Sequence, residues 1–425
     1  MLGTNPELIE AVRARFAHVD ECPFQGPRIF FENAGGALTL RSVVETSTRA
    51  AAVPDNQGRD NPASAELVRR IAKAKEDAML FFNATPGRSG GQIFAGESGT
   101  ELLFRVISAA ILSARKQGGR VLGSTLEHPA TASACERWAE IAELPYHQVA
   151  HDDATGTVGA AEYAPAVTPD TRVATILHTS PVTGMGVDVA AISKEIRKVA
   201  PECFIIVDGI QHAAHGHIDI DAYNIDAYVI SPYKVFSRHG YGLAWISDRL
   251  ARVPHNSLRG GPQENWEMGT RDNGAYETFS DVVAYLEWLG GEVSDLPATD
   301  RRARIEAAAA AIHSHEHDLT EAMLRGTGNQ AGLADLDGVE VLGGLDNPAR
   351  EGLVSLTVRG KDAVTVVGEL NQRGIRTHAR KADHYSGNIL RPLGLESCVR
   401  VSMCHYNTEG EVAEFLAAMR EISGN

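Results

Sequence analysis

The sequence predicts an α/β protein built on a mainly parallel sheet covered by helices on both faces. Two observations carry that expectation. Between about residues 90 and 247, short β-branched runs alternate with helix-like stretches. That alternation of short β-branched runs with helices is the βαβ signature of a mainly parallel sheet covered on both faces. The residues just after several runs are chemically loaded, as expected where an open sheet presents the carboxyl ends of its strands to a ligand.

Taken in order, QIFAG is followed by ELLFRVISAAILSAR, RVLGST by ATASACERWAEIAEL, and TRVATILH by VAAISKEIRKVA, after which come CFIIVDG, DAYVIS and GLAWIS. The stretch ATDRRARIEAAAAAIHSHEHDLTEAMLRG is expected as one long helix. Beyond it the pattern changes to GVEVLGG, REGLVSLTVRG, VTVVGELNQRGI and SCVRVSM, with EGEVAEFLAAMREI as a last helix. The organisation expected is therefore an N-terminal helical segment over residues 1–20, a large α/β domain over 21–297 and a smaller C-terminal α+β domain over 298–425.

Composition narrows the function. The chain has 425 residues, 43% of them hydrophobic, and a formal charge of −15, which argues against nucleic acid as the main partner. The N-terminus MLGTNPELIEAVRARF lacks the apolar core of a signal peptide, and every apolar run is strand-length, so neither export nor a membrane span is expected. The 5 cysteines (Cys22, Cys135, Cys203, Cys398 and Cys404) fall in no paired spacing, which fits a reducing cytoplasm.

Four strand ends carry candidate chemistry. Glu97-Ser98-Gly99-Thr100 opens a helix with free N–H groups and a hydroxyl, suited to phosphate, although an ordinary helix cap has the same look. Glu127-His128-Pro129 places a ring at the next strand end, where a lone histidine is more often structural. Asp208-Gly209-Ile210-Gln211 sets a carboxylate at the mouth of a central strand, where burial demands a cationic partner or ligand. Ser231-Pro232-Tyr233-Lys234 sets a lysine at a strand end, suited to Schiff-base chemistry. Together these are the parts needed for pyridoxal phosphate: an amine for its aldehyde, an anion for its ring nitrogen and N–H donors for its phosphate.

With those parts in place, the sequence resembles the class V aminotransferase group of fold-type I pyridoxal-phosphate enzymes, most closely its cysteine desulfurase-like branch. FFENAGGA, ESGTELLF, LEHPAT, HTSPVTGMGVDV, VDGIQHAAHGHIDID, ISPYKVFSRHGYG, MGTRDN and VRVSMCHYNTEGEV carry the resemblance over nearly the whole chain. It implies a seven-stranded sheet in the large domain. It also implies that Lys234 carries the cofactor as a Schiff base, that Asp208 pairs with the ring nitrogen, and that Gln211 lies near the ring hydroxyl while His128 stacks on the ring face. Gly99, Thr100, Ser231 and Tyr233 would hold the phosphate, and Thr270 would reach the site of a second subunit in a homodimer. Arg400 would grip the substrate α-carboxylate, with Asn33, His384 and Tyr385 also near the substrate.

Departures from the family pattern matter as much. Desulfurases carry a nucleophilic cysteine in a motif like R-x-G-H-H-C-A, and the corresponding stretch here is Arg380-Lys381-Ala382-Asp383-His384-Tyr385-Ser386, with Tyr385 in the place of the thiol. Cys398 and Cys404 flank Arg400 but belong to a strand and its exit. Pro181 stands where relatives often place an asparagine, and Ser180 is the neighbour that could stand in for it. Transamination is the expected chemistry, with Cβ elimination using Tyr385 or His384 as proton donor, or desulfurase-like activity without the usual cysteine, as the alternative, and a non-catalytic cofactor-binding protein as the third. Arg238, Arg259, Arg271, Arg376 and Arg380 are candidates for a second carboxylate.

Other motifs are expected to be bland. Gly87-Arg88-Ser89-Gly90-Gly91 fits a hydrolase elbow only by letter, since Ser89 precedes its strand instead of following one. Of His313, His315 and His317, only the first and last share a helix face, and a solvated surface is expected there. His212, His215 and His217 are expected to serve local packing and hydrogen bonding, and no metal is expected.

Overall fold

The computed structural model describes residues 2–270 and 272–424. Seven strands form the central sheet: β1 (Gln92–Gly96), β2 (Arg120–Ser124), β3 (Tyr146–Val149), β4 (Thr171–Leu177), β5 (Phe204–Asp208), β6 (Ala227–Ile230) and β7 (Gly242–Ile246). Their spatial order is β1-β7-β6-β5-β4-β2-β3. β7 runs antiparallel to both neighbours, and the remaining pairings are parallel. Six of these are the apolar runs of the sequence. β3 (YHQV) escapes the pattern because it is an edge strand with His147 and Gln148 exposed.

Both faces of the sheet are covered, which is why its inner strands carry apolar residues on both faces. Along β5, Ile206 joins the core beneath the helices α1 (Gly99–Ala114) and α2 (Pro129–Ala142), whereas Ile205 and Val207 face the opposite core, shared with α3 (Asn273–Val293). The helix α4 (Arg301–Arg325) begins three residues into the stretch expected for it, with the Asp300 side chain accepting from the Ala303 N–H. Ile305, Ala308 and Ile312 on its first half pack into the core of the large sheet, while Leu319, Met323 and Leu324 pack into a third core.

That third core belongs to an antiparallel sheet of β8 (Val339–Val341), β9 (Leu353–Val358), β10 (His378–Lys381) and β11 (Ser397–Ser402), in the order β8-β9-β11-β10. It is backed by α5 (Ala363–Gln372) and α6 (Glu409–Ser423). The T-E-G-E of the sequence is a capping box at the start of α6, in which Thr408 and Glu411 satisfy each other's backbone N–H. The N-terminal helix, Pro6–Arg13, lies across both regions: Gly3 just before it abuts His315 of α4, and Arg13 donates to the Tyr406 carbonyl and to Glu411. Ile29–Phe30 pairs in parallel with Ile375–Arg376, and Phe31 enters the third core. Among the described residues no helix is long and apolar enough to cross a membrane.

Candidate active site

The topology brings the loaded strand ends to one edge of the sheet. Gly99 follows β1, His128 follows β2, Asp208 closes β5 and Lys234 lies just past β6. The turn holding Lys234 is fixed by Phe236, a fully buried residue with φ of +63°, which closes the turn in the left-handed region. Phe236 meets Phe16, Tyr285 and His405 edge-on, so an aromatic cluster sustains a backbone conformation that by itself costs about 1–3 kcal/mol.

Lys234 donates through Nζ to Gln211 Oε1 at 3.1 Å, and no ion pair engages it among the described residues. Burial, reinforced by the nearby Arg400 guanidinium, pushes its ammonium down to about 7, so a large fraction is free amine at neutral pH. Asp208 is buried at the end of β5, where Oδ2 accepts from Thr131 Oγ1 at 3.0 Å and Oδ1 from the Ile210 N–H at 3.1 Å. Burial raises its carboxyl above the ordinary value despite those bonds and the nearby Lys234 charge, so the carboxylate is suited to a further cationic partner.

His128 caps α2, its Nδ1 accepting from the Ala130 N–H at 3.2 Å. Burial, together with Lys234 and Arg380, lowers its pKa to about 4, so its ring is neutral and can lie flat against another ring. Gly99 leaves the room that a phosphate cradle needs: a Cβ there would come within 2.4 Å of Ser231 Oγ and 2.6 Å of Ile210 Cδ1. Thr100 is exposed at the same helix start, which provides unpaired backbone N–H groups. Tyr233 is stacked on His239, with ring centroids 4.4 Å apart.

Arg400 enters from β11. It is buried, donates through Nη1 to the Pro181 carbonyl at 2.9 Å, and keeps a buried Nε that has no partner among the described residues. Burial and then the neighbouring Arg380 push its guanidinium down to about 9, a marker of a cation awaiting an anion. Pro181, the departure from the family pattern, thus contributes its carbonyl as an anchor for Arg400. Ser180 is spent locally, its Oγ accepting the N–H groups of Val182 and Thr183.

The remaining candidates divide. Tyr385 is 48% exposed and stands over the site, its ring 6.2 Å from that of His128 and 4.1 Å from that of His384. Arg380 lies on the edge strand β10 rather than in a loop, and its Nε donates to Ser386 Oγ at 2.7 Å. Asn33 is buried, and the protein engages both ends of its amide: Nδ2 donates to the Ser402 carbonyl at 2.8 Å and Oδ1 accepts from Tyr406. Thr270 is exposed in an irregular segment before α3.

Arg238 pairs with Asp272, Arg376 donates to Gln25 and Arg259 is exposed, whereas Arg271 lies outside the described residues. Cys398 and Cys404 are buried, and burial pushes the Cys398 thiol up to about 11 and Cys404 well up, which disfavours thiolate at either. Ser89 donates to Asp221 ahead of β1, away from the strand ends that form the site.

Sequence reasoning passed over three features. Glu127, next to His128, is buried; it accepts from Thr175 Oγ1 at 3.0 Å through Oε1 and has no partner for Oε2 among the described residues. Burial and then Asp208 push its carboxyl up to about 8. Thr131 fixes Asp208, and its place one turn into α2 after LEHP was the available signal. The third is Glu316, in the tract read as a solvated histidine face: His313 and His317 are exposed, but His315 and Glu316 point inward. His212 and His215 are buried and hydrogen-bonded to Glu351 and Glu316 respectively.

The donor set fits pyridoxal phosphate on geometry alone. Together at one end of the sheet lie a lysine that no ion pair engages among the described residues, a buried carboxylate and a glycine-lined helix start, with a buried arginine opposite whose Nε has no partner there. Comparisons with known proteins agree. A family model described as aminotransferase class-V matches residues 29–415. The nonribosomal peptide synthetase-like enzyme fsqF of Aspergillus fumigatus is 27% identical over 410 residues, covering 92% of this chain, and the chain spans 25% of that protein's length. The cysteine desulfurase-like protein ustD of Aspergillus flavus is 25% identical over 97% of this chain and 90% of its own length. The apo cysteine desulfurase structure from Thermococcus onnurineus NA1 superposes with a TM-score of 0.80 at 20% identity, covering 98% of both chains.

Proposed function

Because the chain belongs to the aminotransferase class-V family, we propose that it is a pyridoxal-phosphate enzyme that works at the α-carbon of an amino acid, with transamination as its reaction. The observation that carries the reading is Lys234 as a half-buried, partly neutral amine that donates to Gln211 and feels the charges of both Asp208 and Arg400. When bound, the cofactor supplies an aldehyde for the substrate amine and a ring that accepts the electron pair left at Cα.

The chain's own residues do the rest. Arg400, anchored on Pro181, takes the α-carboxylate on its free N–H groups and fixes which bond at Cα faces Lys234. Lys234, neutral near pH 7, takes the α-proton and holds it on Nζ. Asp208, oriented by Thr131 and the Ile210 N–H, would hold the ring nitrogen protonated, and neutral His128 would cover the ring face. Gly99, Thr100, Ser231 and Tyr233 would hold the phosphate. A homodimer with Thr270 reaching the second site belongs to the same reading.

Where Lys234 returns the proton decides the outcome. With Tyr385 in the place of the family's cysteine, and with Cys398 and Cys404 buried as thiols, the reading favours transfer of the amine over a persulfide route through either of those cysteines. Tyr385 near His128 keeps Cβ elimination as the second reading, since its hydroxyl could protonate a leaving group. Incubation of the holoenzyme with L-amino acids, with and without an oxo acid, separates them. Stoichiometric amine transfer to the oxo acid is expected; pyruvate and ammonia released without any acceptor would replace the proposal by the lyase.

A further inference from the structure

Behind Lys234 a line of hydrogen bonds leaves the site and ends on a carboxylate with no assigned role. Lys234 Nζ meets Gln211 Oε1 at 3.1 Å, Gln211 Nε2 meets His215 Nε2 at 3.3 Å, and His215 Nδ1 meets Glu316 Oε2 at 2.7 Å. Gln211, His215 and Glu316 are all buried, and the second carboxylate oxygen of Glu316 has no partner among the described residues. Glu316 sits midway along α4, between the half packed on the large sheet and the half packed in the third core.

We propose that Glu316 and His215 are positioning residues that select which end of the Gln211 amide faces Lys234 and its cofactor. A glutamine amide offers an acceptor at one end and a donor at the other in nearly the same shape, so packing does not choose between them and partners do. The Glu316 carboxylate is acceptor-only, so it keeps a proton on Nδ1 of His215. With the ring neutral, Nε2 is a lone pair, takes an N–H from Gln211 and turns the carbonyl toward Lys234. With the ring charged, Nε2–H needs an acceptor, and Gln211 reverses to present its NH₂ to the site.

One proton behind the pocket therefore changes the hydrogen-bond polarity at the lysine. Burial alone would lower the proton affinity of His215, but the Glu316 carboxylate outweighs it and raises the pKa above the ordinary histidine value. The other groups facing His215 are Glu351, Lys234, the Cys404 thiol and His405. His215, Glu316 and Cys404 also offer atoms within 4.8 Å of one another for a metal ion, but burial holds Cys404 protonated and one Glu316 oxygen is already taken by His215.

The proposal rests on Lys234 carrying the cofactor and is independent of the reaction performed. Its test is the pH titration of the visible band of the holoenzyme, compared across Glu316→Gln, Gln211→Leu and their combination, with exposed His317→Gln as the control. Wild type is expected to show a second inflection from His215. Glu316→Gln should move it about one unit or more toward acid and lower kcat ~10–100-fold, the usual cost of losing an outer partner, with KM within about twofold. Gln211→Leu should abolish the inflection, and adding Glu316→Gln should then change nothing.

His215→Gln, which also removes the inflection, serves if Glu316→Gln does not accumulate. Additive effects in the combination, an inflection unmoved by Glu316→Gln, or a stoichiometric transition metal lost with that substitution would each overturn the relay. A protein that takes up no colour would overturn the relay and the cofactor reading together.

Discussion

The two sides of the site are built differently. On the large-sheet side, Asp208, Gln211, Ser231 and Lys234 sit at strand ends, and the polar atoms of Asp208, Gln211 and Lys234 are held by named partners. On the opposite side Arg400 and Asn33 are deeply buried, but His384 and Tyr385 ride on an exposed turn after the edge strand β10. The side proposed to hold the cofactor is preorganised, and the side proposed to meet the substrate side chain is open. The contrast teaches that such a molecule can keep one activation chemistry while varying its outcome, because variation is cheap on an exposed turn and costly at a buried strand end.

The largest expected effect tests the buried side. Lys234→Ala should lower turnover by at least ~10³-fold, since it removes the group that moves the proton, and the product assay measures it. Turnover within tenfold of wild type would remove the lysine from the chemistry. Arg400→Ala comes next: a loss of about 1.5–3 kcal/mol of charge-assisted hydrogen bonding means amino-acid binding weakened ~10–100-fold, read by spectral titration with the cofactor band retained. Equal affinity in the variant would mean that the carboxylate docks elsewhere.

Glu127 sharpens the comparison through stability. Its carboxyl titrates near about 8 in the fold and near the ordinary carboxylate range when unfolded, so the fold holds a proton that the unfolded chain releases. The stability this contributes is full in acid and lost as pH rises through about 8. Glu127→Gln should flatten that dependence and exceed wild type at pH 9 by about 1–3 kcal/mol, measured by denaturant midpoints at pH 6 and 9. A variant with the wild-type slope would place the proton elsewhere. The smallest effect falls on the open side: Tyr385→Phe should change transamination by less than about threefold, and a collapse of activity there would favour the elimination reading.

The sequence shows the buried side because its chemistry is tied to backbone position. A carboxylate after CFIIV and a lysine after DAYVIS can be seen as soon as the strands are. The open side is less legible: the edge strand carrying Arg380 has no apolar run, and the edge strand β3 escapes for the same reason. Glu316 is hidden differently. A helix that packs against two cores buries residues on more than one stripe, so His315 and Glu316 lie inward between exposed His313 and His317, and a one-face periodicity misses them. VTVVGELNQ folds as a helix despite its β-branched residues, with Asp362 capping it and its apolar face against the third core.

Borohydride reduction of the holoenzyme followed by peptide mapping tests the central claim most directly. The account predicts a single pyridoxyl label on Lys234, absent from Lys234→Ala protein. A label on any other lysine, or an undiminished label in that variant, would contradict it.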